Sequence, residues 1–154
     1  MEGNTISVER VVHAPAEQIF ALIADAAKHA SFDGSGGVDH TTTPPQPLSL
    51  GSKFGMAMHG RPESLFLPYR TTNTVIEFEP PRRIAWQTTI LGRLIGGRIW
   101  RYELEPVDGG TLVRETWDIS QEASLSKPLV VRGGKKTAEN MDKTLARIEE
   151  IVTA

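Results

Sequence analysis

RIWRYELEPVDGGTLVRETWDIS, residues 98–120, holds two alternating apolar–polar segments around a glycine turn. Arg98 to Pro106 and Thr111 to Ser120 flank Val107-Asp108-Gly109-Gly110, and an Asp-Gly pair between alternating runs is a strong hairpin signal. Placing Asp108-Gly109 at the tip sets Leu104 opposite Val113, Tyr102 opposite Glu115 and Trp100 opposite Trp117. All six side chains then share one face, because strand side chains alternate with period two.

Upstream, Tyr69 to Glu79 and Arg83 to Ile90 flank Pro80-Pro81-Arg82 and read as a second hairpin. Matching apolar faces pairs Phe78 with Ile84 and Ile76 with Trp86. Between the hairpins, Gly92 to Gly97 reads as a glycine-rich loop carrying Leu94 and Ile95. Phe54, Met56 and Met58 alternate in Ser52 to His59, another strand, and Gly60 to Pro68 reads as a loop with Leu65, Phe66 and Leu67 able to fold over something. The cluster Asp33 to Gly37 starts a loop or short strand.

The N-terminal part begins with a strand, Thr5 to His13, with Ile6, Val8, Arg10 and Val12 on one face. Ala16 to Ala24 follows as an amphipathic helix behind Pro15, and Asp25 to Ala30 adds a short helical segment. At the far end, Ala138, Met141, Leu145, Ile148 and Val152 form one apolar stripe on a helix from about Lys135 to Val152. The class is therefore α+β. About six or seven antiparallel strands need one face covered, and the long helix with the two short ones must cover it.

The chain has 154 residues and reads as one domain over 1–154. Its net charge of −2 offers no broad attraction to nucleic acid, so no nucleic-acid partner is expected. The absence of Cys rules out disulfides and thiolate metal sites and fits a cytoplasmic setting. MEGNTISVERVVH lacks the apolar core of a signal peptide, and no stretch is long enough for membrane insertion. Oligomeric state stays open, with a homodimer allowed.

Three stretches carry a resemblance. ISVERVVHAPAEQIFALIAD resembles the first strand and helix of the START-like superfamily, also called SRPBCC or polyketide cyclase/dehydrase. NTVIEFEPPRRIAWQT resembles its strand–Pro-turn–strand pattern ending in Ala-Trp, and RIWRYELEPVDGGTLVRETWD its following hairpin. The resemblance runs from Ile6 to Val152. It implies a helix-grip fold, a curved antiparallel sheet wrapped around the C-terminal helix over an apolar cavity. Proteins it resembles include polyketide cyclases, lipid carriers, ligand binders and chaperone activators, so fold alone does not choose among them.

Three functions follow as expectations. The first is a carrier or sensor of an apolar small molecule of lipid, polyketide or aromatic type. The second is a cyclase/dehydrase-type enzyme, with Glu115, Tyr102 and His59 as candidate acid/base residues. The third is a protein interaction module. The expected ligand-binding residues are Met56, Met58, Ile76, Trp86, Trp100, Tyr102, Glu115, Trp117 and Met141. The aromatic ones suit stacking on a flat ligand and equally suit plain core. Glu115 lies inward if the register holds. It is then either a desolvated acid/base group or a satisfied polar pair with Tyr102, with Arg10 as a counter-charge. His29, Asp33, Asp39 and His40 lie close in sequence without metal-ligand spacing, so no metal and no cofactor are expected. No phosphate-loop or Ser-His-Asp motif is present.

Overall fold

The computed structural model describes residues 3–44, 46–60 and 67–154. The strands are β1 (Thr5–Val12), β2 (Val38–Thr41), β3 (Lys53–Met58), β4 (Tyr69–Glu79), β5 (Arg83–Ile90), β6 (Ile95–Val107) and β7 (Gly110–Asp118). The helices are α1 (Ala16–Ile23), α2 (His29–Phe32), α3 (Lys127–Arg132) and α4 (Gly134–Val152), with a tight 3-10 turn at Ala26–Lys28. All strands join one antiparallel sheet in the order β1-β7-β6-β5-β4-β3-β2.

The β6–β7 hairpin has the expected register: Leu104 faces Val113, Tyr102 faces Glu115 and Trp100 faces Trp117. Gly109 sits at the tip with φ +83°, a left-handed conformation that favours glycine. The β4–β5 hairpin keeps Phe78 opposite Ile84, but Trp86 faces Val75, not Ile76. The register shifts between Val75 and Glu77. The extra residue of this bulge is Ile76, which turns outward and is 37% exposed. An alternation counted back from Phe78 fails there because a bulge reverses which side chains point inward. The expected loop at Gly92–Gly97 is also shorter, since β6 already begins at Ile95.

The apolar stripe of α4 faces the sheet. Met141, Leu145 and Ile148 are fully buried, Val152 packs on the core and Ala138 is half-buried. Toward the C-terminal half of α4, Leu145 and Ile148 join Ile19, Phe20 and Ile23 of α1, Val12, Leu104 and Val113 in one dense core. Gly34 lies hard against α4: a Cβ there would collide with the Asn140 carbonyl, and its N–H donates to Thr144 Oγ1 at 2.8 Å. Of the Gly60–Pro68 loop, Leu65 and Phe66 lie outside the described residues, and Leu67 is largely exposed.

Candidate functional site

One end of the grip is solid and the other is hollow. Around Thr137 to Thr144 of α4, the sheet and helix enclose a cavity of about 550 Å³. Its floor is the inner face of the strands. Met56 and Met58 come from β3, Trp86 from β5, Trp100 and Tyr102 from β6, and Glu115 and Trp117 from β7. Met141 closes it from α4. Of the ligand-binding residues expected from sequence, the cavity gathers every one except Ile76, which the bulge removes.

The aromatic rings form a connected wall. His29 stacks on Trp86 at 4.9 Å between ring centres, and Phe54 meets both edge-on. Trp86 lies 5.7 Å from Tyr102, and Trp100 lies 6.5 Å from Trp117. These separations suit tilted and edge-on aromatic contact.

Glu115 is 3% exposed and points into this wall. Tyr102 Oη donates to its Oε1 at 2.8 Å, as the register requires. Burial pushes the Glu115 pKa up to about 8; the Tyr102 hydrogen bond opposes the rise, and the charges of Asp33 and Asp142 add to it. Burial also drives the Tyr102 hydroxyl well above its usual range, so it stays a donor. At neutral pH the carboxyl is therefore mostly neutral. Its second oxygen, Oε2, is buried and has no hydrogen-bond partner among the described residues. Arg10 does not serve as counter-charge. It ion-pairs with Glu149 of α4 at 3.0 Å, because its long side chain reaches past the edge of β1 to the exposed flank of the helix.

His59 is also placed differently from expectation. Its side chain is 57% exposed, 3.8 Å from Asp39, and it is not among the residues lining the cavity. Met58, one residue earlier, takes the inward position. Of the four residues His29, Asp33, Asp39 and His40, the first is buried beneath Trp86 while Asp39 and His40 pair with each other in the open.

Several wall residues were not among the ligand-binding residues expected from sequence. His29 donates from Nε2 to the Ile23 carbonyl at 2.8 Å, and burial lowers its pKa to about 4, so the ring is neutral. Its signal was present: Ala26, His29 and Phe32 are spaced three apart, which puts His29 between two buried apolar residues. Thr71 and Asn73 share the inward parity of Val75 on β4. Asn73 donates to Phe54 O and Thr71 Oγ1, and accepts from Thr88 Oγ1 at 2.7 Å. Nearer the mouth, Arg98 binds Glu122 through two hydrogen bonds of 3.0 Å, and Ser126 also donates to Glu122. That cluster joins β6 to the segment before α3, and no sequence spacing announces it.

Comparison with known proteins agrees with this architecture. Protein CV1439 from Chromobacterium violaceum superposes with a TM-score of 0.73 at 16% identity, covering 98% of each chain. The di-domain ARO/CYC StfQ of the steffimycin biosynthetic pathway also reaches 0.73, at 11% identity over 97% of this chain and 50% of that one. At such identities the likeness is one of fold. In sequence, the uncharacterized protein Rv0088 of Mycobacterium tuberculosis is 32% identical over 145 residues, 90% of this chain. The chain spans about 60% of that relative's length. Among the described residues, no helix is long and apolar enough to cross a membrane. Residues 4–153 match the family described as polyketide cyclase/dehydrase and lipid transport, and the chain belongs to that family.

Proposed function

We propose that this protein binds an apolar small molecule in the cavity between sheet and α4, as a carrier or sensor. One observation carries the reading. A space of about 550 Å³, lined by aromatic rings and methionines together with Thr, Asn and Glu115 side chains, falls within the usual size and chemistry of small-ligand sites.

Native mass spectrometry of the purified protein should reveal a co-purified apolar ligand. An apolar fluorescent probe should bind and change Trp emission. Trp100→Ala should weaken the probe by more than about 1 kcal/mol, the scale of a lost aromatic stacking contact. Failure of both the intact protein and any probe to show a ligand would overturn the reading.

A second reading, a cyclase/dehydrase-type enzyme, is favoured by one feature. Burial pushes the Glu115 pKa up to about 8 beside the cavity, closer to the range in which a general acid or base works than an ordinary carboxyl is. Under that reading Glu115→Gln abolishes turnover, whereas in a carrier it changes ligand affinity only modestly.

A further inference from the structure

The turn between β5 and β6 holds an apolar residue in a conformation that leucine disfavours. Leu91 has φ +52°, the one left-handed residue other than glycine among the described residues. Packing does not repay this, because Leu91 is 71% exposed. Leu94 closes the turn by donating its N–H to the Leu91 carbonyl, and it is exposed as well. Ile90 and Ile95, paired at the base of the turn, line the cavity.

Beside this turn, α3 presents a second apolar edge. The approach to α3 is tied to β6: the Ala123 N–H donates to the Gly96 carbonyl, and the Gly96 N–H donates to Ser126 Oγ. Leu125 and Leu129 are thereby brought to the same rim. Both line the cavity and both are exposed, so they mark its mouth. No residue of α3 is buried. Charge is sorted at this rim too. Residues 90–98 and 123–138 hold six Lys and Arg and no Asp or Glu, although the whole chain carries −2. Arg98 is held by Glu122 and Lys136 by Glu139. Arg93 reaches the neutral Gln87 side chain, and among the described residues neither it nor Lys127 nor Arg132 forms an ion pair.

We propose that this rim docks on an anionic lipid bilayer, with the leucines of the turn and of α3 among the headgroups and Arg93, Lys127 and Arg132 on the phosphates, so that the cavity mouth opens onto the membrane. The surface goes beyond the cavity reading and stands on the rim residues alone. Exposed leucines beside unpaired cations are the composition of a peripheral membrane site, where apolar burial and attraction to anionic headgroups add. The same cations argue against a second copy as the occupant, since a two-fold contact would set them against themselves.

The test is flotation of the intact protein with phosphatidylcholine vesicles and with vesicles in which half the lipid is phosphatidylserine. The protein should partition onto the phosphatidylserine vesicles far more than onto the others, and added salt should weaken the binding. Arg93→Ala should lower the partition about fivefold, the effect of one cation at such a surface. Arg82→Ala, at the other end of β5, should leave it unchanged. Leu91→Gly with Leu94→Ser should lower it by roughly tenfold. The unfolding midpoint of that variant should hold or rise, because glycine accepts the left-handed turn. Equal partition onto both vesicle types, no partition at all, or an equal loss from Arg82→Ala and Arg93→Ala overturns the proposal. So does a native dimer in sedimentation that the leucine variant turns into a monomer, which would assign the rim to a second copy. Leu91 and Leu94 do not line the cavity. Binding of an apolar fluorescent probe without vesicles therefore judges the cavity reading separately.

Discussion

Among the described residues, two glutamates are almost wholly out of water, and they are treated in opposite ways. Glu122, with a side chain 0% exposed, receives two hydrogen bonds from Arg98 and one from Ser126. Glu115, on the cavity floor, receives one from Tyr102 and leaves its other oxygen unpaired. The first is an ion pair that ties β6 to the approach to α3. The second is an acid whose pKa burial raises. The same side chain is thus an ion-pair strut where a cation is supplied and an acid of raised pKa where none is, since a buried carboxyl keeps its charge only when paired.

The largest effect should come from breaking the strut. Arg98→Ala leaves a buried carboxylate without its cation and should cost roughly 3–5 kcal/mol in denaturant unfolding. A loss below about 1 kcal/mol would place the pair with ordinary surface bridges and erase the contrast.

The acid should reveal itself through pH. The Glu115 pKa is about 8 in the folded chain against an ordinary value of 4.5, so the folded state holds a proton that the unfolded state has released. Stability from this group is full below about pH 4.5 and is lost as pH rises toward 8. His29 works the other way. Its pKa is about 4 when folded and 6.5 otherwise, so its contribution is full above 6.5 and is lost as pH falls toward 4. The two slopes offset each other between about pH 4.5 and 6.5. From about 6.5 to 8 Glu115 acts alone, and stability should drop by about 2 kcal/mol. Glu115→Gln should remove that drop, and a native stability curve that rises or stays level over this window would refute the neutral acid.

The smallest effect sharpens the picture. Tyr102→Phe should cost roughly 1 kcal/mol, a typical single hydrogen bond. It should also move the end of the pH-dependent drop upward, because the Tyr102 hydrogen bond lowers the Glu115 pKa. A downward move would mean that the tyrosine is not holding the carboxyl.

Local pattern carried much of this molecule into view. The Asp108-Gly109 turn and strict alternation on both sides were enough to pair Tyr102 with Glu115 and to aim Trp100, Trp117 and Glu115 inward. The spacing of Met141, Leu145 and Ile148 was enough to orient α4. Both signals are short in range: a turn of fixed geometry propagates register along its own hairpin, and a helix repeats every few residues. What lay beyond them came from contacts between distant segments. The bulge at Ile76 depends on how β4 curves against β5, and an alternation pattern contains no sign of the extra residue. Arg10 turned to Glu149, and Arg98 to Glu122, because of where α4 and the approach to α3 come to rest. The hollow itself belongs to this level. It opens where residues 137–144 of α4 and the inner face of the sheet line one space, while Leu145 and Ile148 pack with α1 toward the other end. No single stretch of sequence encodes that space, since a cavity is set by the volumes of side chains that meet only in the folded chain.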